Sequence, residues 1–216
     1  MWGNDNNKWN VMKKLALILT LLASCSTWAQ GDIEAGKQKS VTCTACHGQD
    51  GNSALTQYPN LAGQHAGYLE KQLHDLKLGM ETQGKQGRMD PVMSAMAMPL
   101  SEQDIKDISA YYASLPMADN TTPENVIPEG KALYLAGDME RGITACIACH
   151  GPRGNGTSLS GFPKISGQHA DYVKAQLEKF RSSDRNNDMN GMMRDIAKKL
   201  TDEDIATLSQ YVGGLH

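Results

Sequence analysis

Residues 43–48 read Cys43-Thr44-Ala45-Cys46-His47-Gly48, and residues 146–151 read Cys146-Ile147-Ala148-Cys149-His150-Gly151. A chain of this composition would hold one CxxCH by accident roughly 0.003 times, so two are not coincidence. Two thiols separated by two residues share one helical turn, where they can add to the two vinyl groups of a haem. The adjoining histidine is then carried beneath the iron, and CxxCH is the attachment signal of c-type haem. Zinc would need four ligands, and each motif supplies three at close spacing. A thioredoxin-like dithiol would need a strand before the CxxC within an α/β sheet, and the sequence shows neither. A disulfide closed within a CxxC would be geometrically poor.

Outward from the motifs the repetition continues. Tyr58-Pro59-Asn60-Leu61-Ala62-Gly63-Gln64-His65-Ala66 returns as Phe162-Pro163-Lys164-Ile165-Ser166-Gly167-Gln168-His169-Ala170, and Tyr68, Gln72 and Leu73 return as Tyr172, Gln176 and Leu177. Leu100-Ser101-Glu102-Gln103-Asp104-Ile105 returns as Leu200-Thr201-Asp202-Glu203-Asp204-Ile205. Ser101 and Thr201 read as N-caps with an acidic residue three positions on, a capping box with Asp in place of Glu. Apolar or aromatic residues at 105, 108, 112 and 115, and at 205, 208, 212 and 215, predict a closing helix in each copy. Further helices are expected over 65–78, stopped by Gly79, and over 169–181, with another before each motif, over 33–40 and 129–135. Strand alternation is missing. The fold class is therefore all-α, in two domains, residues 31–116 and 129–216, joined by a Thr/Pro-containing linker over 117–128. Gly36 and Gly130 read as close crossings of first and last helices near Tyr111 and Tyr211. The second copy is longer before its motif, with 15 residues between Gly130 and Cys146 against six between Gly36 and Cys43.

Of 216 residues, 21 are Lys or Arg and 24 Asp or Glu, a net charge of −3 that argues against a nucleic-acid binder. Residues 31–122 carry 7 basic against 11 acidic side chains and residues 123–216 carry 11 against 12, so the more basic second half is expected to meet a different partner from the first. Only 6% of the chain is aromatic, and Trp2, Trp9 and Trp28 all precede the first domain. Domains this small need help with their cores, and a flat, apolar, covalently held group in each would supply it.

From Met12 the chain reads MKKLALILTLLASCSTWA, the layout of a secretory signal. Residues 1–29 are therefore expected to be an upstream extension and a signal peptide, with translation from Met12, cleavage after Ala29 and delivery to a bacterial periplasm. Leu22-Ala23-Ser24-Cys25 resembles a lipobox, and a lipidated Cys25 is the competing product, which would be membrane-associated.

An iron carried by His47 or His150 needs a ligand on its other face, and a thioether suits an electron carrier because it raises the potential and leaves no open position. In the register ending at Leu100 and Leu200, methionine recurs at Met89 with Met189 and at Met93 with Met193. CxxCHGxxG, then YPxLxGQHxxYxxxQL, then a methionine seven residues before LSxxDI, duplicated after an export signal, resembles the two-haem cytochrome c4 family. The resemblance implies two tandem class I cytochrome c domains, each wrapped around one covalent haem c and its iron. It implies Cys43, Cys46, Cys146 and Cys149 as covalent attachment points and His47, Met93, His150 and Met193 as axial iron ligands, with Met89 and Met189 the alternative. It also implies that the carbonyls of Pro59 and Pro163 accept a hydrogen bond from the ligating imidazoles. Partners implied are a cytochrome bc1-type donor and a terminal oxidase. His65 and His169 read as exposed or capping groups, while Tyr68, Gln72, Tyr172 and Gln176 share a helical side that faces either a haem edge or the other domain.

The function expected is one-electron transport without substrate chemistry. A two-haem peroxidase or a haem-based ligand sensor is the alternative, and either would need an iron with an opened coordination position. Mass spectrometry of the exported protein is expected to show a chain beginning at Gln30 or Gly31; a diacylated Cys25 as first residue would establish the lipoprotein route instead.

Overall fold

The computed structural model describes residues 31–215; the leader, with Cys25 and the cleavage position after Ala29, lies outside them. Helix α1 (Ile33–Lys39) passes through a 3₁₀ turn (Ser40–Thr42) into the one-turn helix α2 (Thr44–His47), which carries the first motif. Helices α3 (Ala66–Glu81), α4 (Pro91–Ala97) and α5 (Glu102–Ser114) complete the first unit. The second unit repeats the order with α6 (Ile127–Ala136), α7 (Ile147–His150), α8 (Ala170–Ser182), α9 (Met192–Ala197) and α10 (Asp202–Gly213). Among the described residues there is no strand, only isolated bridges between Asp138 and Ile143 and between Thr157 and Phe162. No described helix is long and apolar enough to cross a membrane.

The capping boxes form as expected. Ser101 Oγ accepts from Asp104 N–H at 3.2 Å while the Asp104 carboxylate accepts from Ser101 N–H at 2.9 Å, and Thr201 and Asp204 repeat the exchange at 3.1 and 2.8 Å. These caps fix where the closing helices start, and so where each crosses the first helix of its unit. At the crossings a Cβ on Gly36 would stand 2.0 Å from the Asp107 carbonyl oxygen, and one on Gly130 would stand 2.6 Å from Tyr211 Cβ, so both positions require glycine.

Three features differ from the sequence reading. Helix α3 does not stop at Gly79 but continues to Glu81, because Gly79 serves packing: a Cβ there would lie 2.2 Å from the Arg88 carbonyl oxygen. Helix α6 begins at Ile127 and takes in Pro128, since proline in the first turn costs no helical hydrogen bond. Helices α4 and α9 were not expected; Asp90 caps α4 and proline occupies its first turn, both start signals.

The two cores solve one packing problem in opposite ways. In the first unit Ser40 ends the first helix and Tyr112 lies on the last; at the equivalent positions the second unit has Tyr134 and Val212. All four are buried. The large side chain thus comes from the last helix in one unit and from the first in the other. In both it packs against a second tyrosine, Tyr111 with ring centroids 5.2 Å from Tyr112 and Tyr211 5.7 Å from Tyr134. Burial pushes the Tyr112 and Tyr134 phenols well above the ordinary range and keeps them neutral. The insertion of the second unit closes on itself through Asp138 N–H to Ile143 O at 2.9 Å and Ile143 N–H to Asp138 O at 2.7 Å, and puts Ile143 into the core. Arg141, within that insertion, bonds Asp204 at 2.6 Å and so ties the loop to the cap of α10.

Tyr134→Ser is expected to destabilise the second unit by about 3–5 kcal/mol, the usual cost of truncating a buried aromatic. Adding Val212→Tyr, which recreates the arrangement of the first unit, is expected to recover most of that loss in thermal denaturation followed by circular dichroism.

Candidate haem sites and the interface between them

Each motif lies on a single turn: His47 N–H bonds Cys43 O and His150 N–H bonds Cys146 O, both at 3.0 Å. Cys43 packs against the core of Leu69, Ile108, Tyr111 and Tyr112, and Cys146 against that of Leu133, Tyr134 and Ile205. Burial raises both thiols, that of Cys146 to about 11. None of the four motif cysteines is in a disulfide. After each motif the chain reverses at a glycine in the left-handed region, Gly48 with φ 79° and Gly151 with φ 74°. That reversal returns the following loop over the histidine.

The loop supplies the histidine's anchor. His47 Nδ1 is 2.9 Å from Pro59 O, and His150 Nδ1 is 2.9 Å from Pro163 O. A carbonyl can only accept, so Nδ1 carries the proton and Nε2 presents its lone pair. His47 Nε2 is buried with no hydrogen-bond partner. Burial lowers the pKa of both imidazoles, and the proline carbonyl opposes this without reversing it, so both stay neutral. A neutral imidazole with Nδ1 anchored and Nε2 free, on the same turn as two cysteines, fits the needs of a covalent haem. Tyr58 and Phe162, equivalent in the repeat, flank the imidazoles at 6.3 and 6.5 Å between ring centroids, a role that sequence reading did not assign.

The two candidate methionine pairs differ in exposure. Met89 and Met189 are 41% and 48% exposed, whereas Met93 on α4 and Met193 on α9 are half-buried. The unexpected short helices are thus the elements that carry Met93 and Met193. Asp90 anchors the start of α4 by accepting from Met93 N–H at 3.1 Å.

The family described as Cytochrome c matches residues 33–116 and again 127–216. A cytochrome c4 from Thiocapsa roseopersicina is 46% identical over 187 residues, 86% of this chain and 93% of that protein. The crystal structure of reduced recombinant cytochrome c4 from Pseudomonas stutzeri superposes with a TM-score of 0.83 at 44% identity, covering 86% of this chain and all of that one. A protein of Stutzerimonas stutzeri named thiosulfate dehydrogenase electron acceptor is 33% identical over 208 residues, 94% of this chain and 93% of its own length.

The repeated polar residues meet between the units. His65 and His169 hold the N-cap positions of α3 and α8, as expected, but their side chains make no cap bond; instead His65 Nε2 bonds Asn155 O and His169 Nε2 bonds Ser53 O, both at 2.8 Å, and join the units. Arg185, 5% exposed, donates to Tyr68 Oη at 2.9 Å and Gln72 Oε1 at 3.0 Å across the interface and to Gln176 Oε1 at 2.8 Å in its own unit. Arg88 reaches the same two glutamines from the first unit, at 3.0 and 3.1 Å, and Tyr172 faces both guanidiniums. Of the two readings of Tyr68, Gln72, Tyr172 and Gln176, the interface is where they lie. Arg185 is thereby withdrawn from the basic surface expected of the second unit, while Arg181 and Arg194 are ion-paired with Asp202 and Asp188. Arg185→Ala is expected to remove about 2–3 kcal/mol of interdomain stability, since it deletes the charged hydrogen bonds to Tyr68 and Gln72 across the interface, while Arg88 still holds the glutamines. Calorimetry should then resolve two unfolding transitions where the parent shows closer coupling.

Proposed function

Because the chain belongs to the cytochrome c family, and within it to the two-haem cytochrome c4 proteins, it carries two covalent haem c groups and serves electron transfer; we propose that it moves single electrons through the periplasm from a cytochrome bc1-type complex to a terminal oxidase. Each haem iron supplies one-electron chemistry between its ferrous and ferric states. Cys43 and Cys46, and Cys146 and Cys149, hold the two groups as thioethers. His47 and His150 bind through Nε2, oriented by the carbonyls of Pro59 and Pro163, and Met93 and Met193 bind from α4 and α9.

The observation that carries this reading is that both units have the same pair of donors, an anchored neutral histidine and a half-buried methionine. A peroxidase or a ligand sensor needs an iron with an opened coordination position, and a methionine available in each unit argues against that. Export by the leader of residues 1–29 would deliver the chain to the compartment in which such carriers work. The relative named as an electron acceptor of thiosulfate dehydrogenase favours a second class of donor, a periplasmic dehydrogenase, for the same carrier.

A pyridine haemochrome assay is expected to return two haems per chain, resistant to extraction by acidic solvent. Met93→Ala and Met193→Ala should each remove about half of the methionine-to-ferric charge-transfer band, one haem of two, if a thioether ligates each iron. An undiminished band would move the assignment to Met89 or Met189.

A further inference from the structure

Gln64 and Gln168 are equivalent in the repeat, buried, and directed into the opposite unit. Gln168 Oε1 accepts from Asn60 N–H at 2.8 Å and its Nε2 donates to Asn60 O at 2.9 Å. Gln64 Oε1 accepts from Lys164 N–H at 2.9 Å and its Nε2 donates to Lys164 O at 2.8 Å. Both amides are steadied at home, because Oε1 also accepts from the next residue's N–H, His65 at 3.0 Å and His169 at 3.1 Å.

The clamped residues directly follow the two prolines. Asn60 N–H belongs to the same peptide group as the Pro59 carbonyl, and Lys164 N–H to that of Pro163. An unbroken line therefore runs from His47 Nδ1–H through the Pro59–Asn60 peptide to Gln168 of the other unit, with bonds of 2.9 and 2.8 Å. Its mirror image runs from His150 Nδ1–H through the Pro163–Lys164 peptide to Gln64, with bonds of 2.9 and 2.9 Å. A peptide that donates through its N–H gains negative charge on its oxygen, so the bond at one end strengthens the bond at the other.

We propose that Gln64 and Gln168 are positioning residues that act across the interface, each tuning the midpoint potential of the haem in the opposite unit through the peptide that anchors its histidine. This rests on His47 and His150 being the iron ligands. The sign follows from ligand basicity: a stronger acceptor at Nδ1 makes the imidazole a more electron-rich ligand, which favours ferric iron and lowers the potential. Removing the glutamine amide raises it, in the other unit.

The test uses the two-haem protein with Gln168→Met, a substitution of similar length, and the mirror variant Gln64→Met. Midpoints are measured by spectroelectrochemistry and assigned to units by the paramagnetically shifted proton signals. Gln168→Met is expected to raise the midpoint of the first-unit haem and leave its own unchanged. Gln64→Met should do the reverse. Gln168→Glu, which retains an oxygen for Asn60 N–H, should return the first-unit midpoint toward the parent value. Amide exchange supplies a readout independent of redox state, with Asn60 losing protection in Gln168→Met while Lys164 keeps it. Thr56→Val, which breaks the 2.5 Å bond between Thr56 and Asp171 elsewhere on the interface, should move neither midpoint. The proposal is overturned if the shift stays in the mutated unit, falls equally on both or is absent, or if Thr56→Val reproduces it. Should Gln168→Met fail to mature, Gln64→Met decides alone. Loss of a haem from the unmutated parent would instead refute the two-haem reading.

Discussion

A hydrogen bond from a histidine Nδ1 to a proline carbonyl organises each half of this chain. It fixes the tautomer, so Nε2 is left as the free donor, and it ties the motif helix to the loop that closes over it. Burial does the rest by disfavouring the imidazolium. The glycine reversal after each motif exists to bring that loop back within reach. The loop's next residues are the ones the opposite unit grips, so the anchor of the ligand and the contact between domains occupy one stretch of backbone.

Much of this was legible in the sequence because it rests on spacing. The CxxCH pairs and the capping boxes at Ser101 and Thr201 are local patterns whose physical reasons do not depend on the rest of the fold, whereas the glycines at Gly36 and Gly130 answer to the last helix of each unit. The short helices α4 and α9 were not legible, because six or seven residues give too little periodicity to stand out. Gly79 misled for a different reason. A glycine near a helix end has the same sequence appearance whether it stops the helix or admits a neighbouring carbonyl, and only the position of Arg88 distinguishes them. The roles of His65, His169, Gln64 and Gln168 were hidden in the same way: their recurrence marked them, but their partners lie about a hundred residues away.

The two copies show how far a repeat can drift while its architecture holds. Ser40 with Tyr112 and Tyr134 with Val212 exchange bulk across one helix crossing, so each core keeps its filling although neither position keeps its residue. The insertion before the second motif adds Ile143 to the core and Arg141 to a helix cap. The clamped positions differ as well, Asn60 in one unit and Lys164 in the other. That difference is harmless, because the opposing glutamine reads only the backbone there.

The pseudo-twofold pairing is isologous: each unit offers the other the same surface that it receives. The contacts that make it are largely amide and guanidinium hydrogen bonds, the kind that hold transient rather than permanent complexes. Residues 115–123, between Ser114 and Glu124, convert that encounter into an intramolecular one. A tether this short keeps the second unit at an effective concentration on the order of millimolar. Dilution, which separates weakly bound cytochromes that are different molecules, leaves this pair together.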